Sequence, residues 1–85
     1  MILQRDSTLE KELGLVRSLI VVVLRNNKPR KLTGSEVLEA LREYFQTLPS
    51  VAYHLDWLSR NTSYVEKISV SVGRSKRHSY RYRLS

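Results

Sequence analysis

The amino-acid sequence predicts an α+β fold in which three helices are followed by a C-terminal β-hairpin. Three observations lead to this prediction. Apolar residues recur at helical spacing up to about residue 63, and from Tyr64 onward they recur at every second position. The length of 85 residues leaves room for one domain with a modest core. We therefore expect a single domain over residues 1–85, with an extension of the first helix at 1–14, a helical bundle at 15–63 and the hairpin at 64–85.

The first predicted helix is expected to have Ser7 or Thr8 as its N-cap and to end near Asn26. One apolar stripe follows it, formed by Leu9, Leu13, Val16, Ile20 and Val23. The run from Leu19 to Leu24 is also rich in β-branched residues, so a strand competes with the helix there. A helix that is apolar on several sides needs cover from several directions. We expect a homodimer interface at Leu9, Leu13, Leu15, Leu19 and Val22, unless residues 1–14 fold back over their own domain.

A short strand and a second helix are predicted next. Lys31 and Leu32 suffice for a short edge strand and little more. Thr33-Gly-Ser-Glu36 is the pattern of a capping box, in which the Thr33 hydroxyl and the Glu36 carboxylate each accept a backbone N–H. The helix that follows is expected to run to about Phe45 and to bury Val37, Leu38, Leu41, Tyr44 and Phe45.

The third predicted helix is capped by Thr47, tolerates Pro49 in its first turn and ends near Asn61. Its inner stripe is Val51, Leu55 and Leu58. We expect His54 to be packed and hydrogen-bonded beside this stripe, and Asp56 to pair with Arg60. The residues that project away from the stripe are Ser50, Tyr53, Asp56, Trp57 and Arg60.

The C-terminal segment predicts a hairpin. Ile68, Val70 and Val72 alternate with polar residues and form an apolar strand face. A polar loop over residues 73–79 follows, and Tyr80, Tyr82 and Leu84 alternate with Arg81 and Arg83 in the second strand. Tyr80 and Tyr82 are expected on the buried face, and the two arginines on a solvated or a DNA-contacting face.

The charge of the chain points to a polyanionic partner. The formal net charge is +7 and the isoelectric point is near 10.2. Residues 66–85 contain six basic side chains and one acidic side chain, so most of the excess lies in the hairpin. A cluster of this kind is typical of a surface that meets nucleic acid.

Several classes of function are disfavoured by composition. The chain has no cysteine and two distant histidines, so we expect no metal site and no cofactor. No carboxylate pair, Ser–His arrangement or phosphate-binding Gly loop is visible, and we expect neither an enzyme nor a small-molecule effector site. The longest apolar run is too short to span a bilayer. We expect a soluble cytoplasmic protein, associated with the nucleoid, or a nuclear one if the source is a eukaryote.

The predicted order of elements is that of a winged helix-turn-helix domain, and the third helix makes the likeness specific. Residues 47–58, Thr-Leu-Pro-Ser-Val-Ala-Tyr-His-Leu-Asp-Trp-Leu, resemble the turn and recognition helix of the ArsR, MarR and PadR-type transcriptional regulators. Residues 32–41 resemble the preceding helix of those families, and residues 64–77 resemble their wing. The resemblance covers about residues 15–85.

What the resemblance implies is regulation of transcription by binding double-stranded DNA. The third helix would enter the major groove, and the basic wing would meet the flanking backbone or the minor groove. Thr47, Ser50 and Tyr53 would offer hydroxyls near the start of that helix. The expected DNA-binding residues are Thr47, Ser50, Tyr53, Trp57 and Arg60 in the recognition helix, Arg74, Lys76, Arg77 and Arg81 in the wing, and, more weakly on the backbone, Lys28, Arg30 and Lys31.

Two other classes of function stay open at this point. A winged helix can be a protein-interaction subunit of a transcription or replication assembly, and Trp57 and the apolar first helix would then contact a protein. A binder of single-stranded nucleic acid or RNA would use its tyrosines as stacking platforms. The basic hairpin favours duplex DNA over a protein partner.

Overall fold

The computed structural model describes residues 5–71 and 78–85. In this part of the chain the fold is α+β, with four helices and one three-stranded antiparallel sheet. The α+β prediction is confirmed, and the prediction of three helices is wrong by one. The elements are α1 (Ser7–Leu13), α2 (Leu15–Asn26), β1 (Leu32–Thr33), α3 (Gly34–Ala40), α4 (Leu48–Asn61), β2 (Val65–Ser71) and β3 (His78–Leu84).

The additional helix arises from a break at Gly14 in the predicted first helix. Gly14 has φ 86° and ψ 164°, a conformation that residues with a side chain rarely adopt. Asp6 caps α1, since its carboxylate accepts a hydrogen bond from the Leu9 N–H at 3.0 Å. Because the chain changes direction at Gly14, α1 packs against α2 instead of continuing into it. Residues 5–13 therefore lie over their own domain.

Helix α2 forms the centre of the core. Every residue from Leu19 to Leu24 is at most 2% exposed, and the run is helical. The helix is covered on several sides within its own chain, because α1, α3, α4 and β3 all pack on it. Leu9, Leu19 and Val22, expected at a dimer interface, are buried inside the single chain. Leu15 is 39% exposed and Leu13 is half-buried, and only these two remain available to a second copy.

The predicted capping box starts α3. The Glu36 N–H donates to the Thr33 hydroxyl at 3.2 Å, and the Thr33 N–H donates to the Glu36 carboxylate at 3.1 Å. The helix ends at Ala40, earlier than expected, because the chain turns at Leu41, whose carbonyl accepts from the N–H groups of both Tyr44 and Phe45. This turn buries Phe45 in the core but leaves Tyr44 45% exposed, so the predicted burial of Tyr44 is wrong.

Helix α4 agrees closely with the prediction. Its inner stripe, Val51, Leu55 and Leu58, is fully buried, and the helix ends at Asn61. Thr47 occupies the N-cap position but its side chain makes no capping hydrogen bond to the backbone. Its hydroxyl instead lies 3.0 Å from the hydroxyl of Ser50, one turn further on.

The sheet has the strand order β1-β3-β2, and β1 is the predicted short edge strand. Leu32, Val65 and Tyr82 are buried on the face that packs against the helices. In the register of β2 and β3, Lys67 opposes Tyr82 and Ile68 opposes Arg81. Directly opposed residues share a face. We call the face that contains Leu32, Val65, Lys67 and Tyr82 the inner face, and the other face the outer face.

This register corrects two predictions for the hairpin. Ile68 belongs to the outer face, so the predicted apolar alternation that begins at Ile68 does not form the core side of β2. The core side begins instead with Val65 and continues through Lys67. Tyr82 is 5% exposed as expected, whereas Tyr80, expected to be buried, is 45% exposed. Val72, the last residue of the predicted alternation, lies outside the described residues.

No helix within residues 5–71 and 78–85 combines the length and the apolar character that are needed to cross a bilayer.

Candidate nucleic-acid interface

The exposed face of α4 is the side opposite its buried stripe. Tyr53 is 62% exposed and is the most exposed large apolar side chain of the described residues. Thr47, Ser50 and Arg60 are also exposed, and the first two are joined through their hydroxyls. The structure therefore places four of the five predicted recognition-helix residues on one accessible helix surface.

Trp57 is the exception among the five. It is half-buried and packs against the core, and the guanidinium of Arg17 lies 3.7 Å from the centroid of its ring. Trp57 therefore faces α2, and the expectation that it projects freely outward is wrong. Its physical role here is to give the Arg17 cation an aromatic face to stack on.

His54 is packed and hydrogen-bonded, as predicted. The Nε–H of Arg17 donates to Nδ1 of His54 at 3.2 Å, which requires that nitrogen to be unprotonated. The ring of His54 also lies 5.6 Å from Phe45 and 5.4 Å from Tyr53, measured between centroids. Partial burial, and then the positive charge of Arg17, lower the pKa of His54.

Arg17 is the important residue that sequence reasoning missed. It lies on α2, yet it contacts both His54 and Trp57 on α4. The ring of His54 in turn contacts the ring of Tyr53 edge-on. Arg17 is therefore linked to the exposed Tyr53 through His54. The only signal in the sequence was a charged residue beside a long apolar run, and such a residue is usually solvated.

Asp56 links α4 to the hairpin. Its carboxylate accepts from Nζ of Lys67 at 2.7 Å and pairs with Arg60 at 3.1 Å, the second of which was predicted. The hydrogen bond from Lys67 lowers the pKa of Asp56, and the same bond raises the pKa of Lys67. The Lys67 ammonium also lies 4.2 Å from the centroid of Tyr80. As a result α4 does not present an uncompensated carboxylate on its surface.

The Asp56–Lys67 contact joins the second half of α4 to the first half of β2. Asp56 lies five residues before the end of α4, and Lys67 lies two residues after the start of β2. The chain therefore doubles back between them, and from this we infer that the N-terminal half of α4 lies toward the end of the hairpin where β2 stops at Ser71 and β3 starts at His78. Ser50 and Tyr53 belong to that half. Arg74, Lys76 and Arg77 fall between Ser71 and His78, outside the described residues.

The remaining predicted contacts do not share a surface with α4. Arg81 is exposed on the outer face of β3, directly opposite Thr33 of β1. Lys28, Arg30 and Lys31 are exposed in the connection between α2 and β1. Lys28 lines a groove with Glu66, Arg83 and Ser85, at the end of the hairpin where β3 finishes. Arg81 therefore lies on the outer face, and Lys28 lies beside Arg83 of the same face.

Among the described residues, no group of three or more histidine or carboxylate side chains lies close enough together to hold a metal ion.

Comparison of the chain with family models, with curated proteins and with solved structures found no match.

Proposed function

We propose that this protein binds double-stranded DNA as a winged-helix regulator of transcription, and that it is not an enzyme. Helix α4 enters the major groove, and the hairpin contacts the flanking backbone or the minor groove. The observation that supports this most strongly is the position of the exposed half of α4. It lies toward the same end of the domain as Ser71 and His78, between which the sequence contains three basic residues.

The order of elements is compatible with a winged helix. Apart from α1, it is helix, short strand, two helices and a hairpin, and the short strand pairs with the last strand. A helix is the element that fits the major groove, where base edges present distinguishable hydrogen-bonding patterns. Helix α4 has 14 residues and is buried along one stripe only, which leaves a continuous surface for such contact.

Electrostatics favour the same function. DNA binding depends on cations that meet phosphates, and the chain has a formal net charge of +7. Asp56 would repel a phosphate if it were free, but Lys67 and Arg60 both pair with it. The surface of α4 therefore offers hydroxyl groups and an aromatic ring for base edges, and the neighbouring hairpin supplies the charge.

The direct test is a salt-dependent mobility-shift titration with random and genomic duplexes. We expect binding that weakens with salt, and we expect Ser50→Ala and Tyr53→Ala to alter which duplexes are preferred, by about 1–3 kcal/mol for each lost base contact. The matched control is Tyr44→Ala, since Tyr44 is an exposed tyrosine in the turn between α3 and α4. Equal effects of the Tyr53 and Tyr44 variants would contradict base contact by α4.

The hairpin is tested separately in the same assay. Replacing Arg74, Lys76 and Arg77 by Ala should weaken binding to all sequences alike. The slope of log K against log salt concentration should become shallower by about 0.9 for each lost phosphate contact. An unchanged slope would show that these cations do not meet the backbone.

A protein-interaction role is the second candidate, and one observation favours it. Arg60 is the one lysine or arginine in α4, and it is paired with Asp56. The helix also exposes Leu48 to 42% and Tyr53 to 62%, a combination that suits a protein surface. If the Tyr53→Ala variant binds DNA as tightly as the wild type and prefers the same sequences, the protein-interaction role is favoured.

A further inference from the structure

The outer face of the sheet is a second basic surface. It is formed by Arg81 and Arg83 on β3, and Lys28 lies in the groove beside Arg83. Arg30 and Lys31 are exposed in the connection that leads into β1. Two carboxylates lie among these five cations. Glu36 pairs with Arg30 at 2.6 Å, and Glu66 pairs with Arg83 at 2.9 Å.

Three cations of this surface have no ion-pair partner among the described residues. Lys28, Lys31 and Arg81 are exposed, and their side chains form no ion pair with any residue of the described ranges 5–71 and 78–85. The positive field of Arg81 reaches Glu36, whose pKa is lowered first by the Thr33 backbone N–H and in smaller part by Arg30 and Arg81. Exposed like charges on one surface repel one another, so a polyanion that neutralises them is favoured.

The position of this surface separates it from α4. Helix α4 packs on β2 from the side of the inner face, whereas Arg81 and Arg83 belong to the outer face. Lys28 and Arg83 lie where β3 ends, and the N-terminal half of α4 lies toward the opposite end of the hairpin. A straight duplex that follows the exposed face of α4 does not also cover the outer face.

We propose that the outer face, through Lys28, Lys31 and Arg81, binds the phosphate backbone of a second DNA segment, so that one protein bridges two duplexes. This inference rests on the proposed function for the first segment. The second contact carries no sequence information, because it involves cations and phosphates alone. Bridging would therefore be independent of the sequence of the second duplex and strongly dependent on salt.

The test is a sandwich capture with the full chain. One duplex is immobilised, protein is added, and the retention of a labelled duplex of unrelated sequence is measured at increasing salt. The wild type is expected to retain it. The triple variant Lys28→Gln, Lys31→Gln and Arg81→Gln should raise the protein concentration needed for half-maximal capture by at least about tenfold at 0.1 M salt. The charge-matched control, Arg5→Gln, Lys11→Gln and Arg42→Gln, should capture as the wild type does.

Binding to a single duplex is measured in parallel, and it separates this inference from the proposed function. Retained single-duplex binding with lost capture in the triple variant supports a second surface. Single-duplex binding by the wild type without any capture overturns the second surface alone, and so does capture that the triple variant retains. Loss of single-duplex binding in the triple variant, with no loss in the α4 and hairpin variants, overturns the proposed role of α4. A wild type that binds no duplex overturns both.

Discussion

The guanidinium of Arg17 stacks on the indole ring of Trp57, with 3.7 Å between its central carbon and the ring centroid. Arg17 is on α2 and Trp57 is on α4, so this contact joins the two helices. The same guanidinium donates to His54, which touches Tyr53. A cation on the central helix thereby positions the most exposed aromatic ring of the proposed DNA-binding surface.

Replacing Arg17 by Met should destabilise the protein by about 1–2 kcal/mol, because a cation–π contact and a hydrogen bond are both lost. Methionine keeps the apolar stem, so the packing of the side chain is largely retained. Arg17→Lys should recover little of the loss, since an ammonium cannot stack and donate in the geometry of the planar guanidinium. Urea denaturation measures the effect.

The matched control for Arg17 is Arg42→Met. Arg42 is 75% exposed and, within residues 5–71 and 78–85, pairs only with the exposed Glu39. Exposed pairs of this kind contribute little, so this variant should stay within about 0.5 kcal/mol of the wild type. Equal effects of the two substitutions would mean that the contact with Trp57 is incidental.

His54 should make stability depend on pH in the weakly acidic range. Burial and Arg17 lower its pKa in the folded protein, so the unfolded chain binds the proton more readily. The stabilisation is complete above the unfolded pKa of about 6.5 and is lost as the pH falls through the lower pKa of the folded state. The group that faces the imidazole from α2 is Arg17, and its positive charge opposes protonation.

The measurement is the urea midpoint of the wild type and of His54→Gln between about pH 5 and 7. Glutamine can still accept from Arg17 but does not titrate, so the variant should show a flatter pH dependence. Asp6, Glu36 and Asp56 also have lowered pKa values, and their effect falls in a more acidic range. A variant with the same slope as the wild type would assign the pH dependence to another group.

Features with a local signal were predictable from the sequence. The capping box needs only Thr33 and Glu36, three residues apart, and the buried stripe of α4 follows from helical spacing alone. The exposed face of α4 was predictable for the same reason.

The features that were missed depend on residues far apart in the chain. Alternation in β2 indicates two faces but not which one meets the helices, and the pairing of Lys67 with Tyr82 decides that. The Lys67 ammonium can lie on the core side because Asp56 neutralises it there. Trp57 looked exposed because its partner, Arg17, is 40 positions earlier.

Gly14→Ala should destabilise the protein by about 1–2 kcal/mol, even though no atom lies within 4 Å of the position that the new methyl group would occupy. The cost comes from the backbone, since φ is 86° at this residue. Gly34→Ala is the control. Its φ is not positive, and the methyl group would meet only the Cδ1 atom of the exposed Leu48, at 3.2 Å. A thermal midpoint for Gly14→Ala at or above that of the wild type would refute this assignment.

The predicted homodimer can now be tested with a pair of leucines on one helix. Leu19 is 1% exposed and Leu15 is 39% exposed. Leu19→Glu should unfold the chain, because it buries a carboxylate without a partner. Leu15→Glu should leave the fold intact and, if α2 forms the interface, should convert dimers into monomers in sedimentation at micromolar concentration.

A dimer would place two α4 helices in successive major grooves about 34 Å apart and would require a nearly palindromic site. Sedimentation of the wild type as a 10.0 kDa monomer would reject the dimer, and a Leu15→Glu variant that still dimerises would place the interface elsewhere.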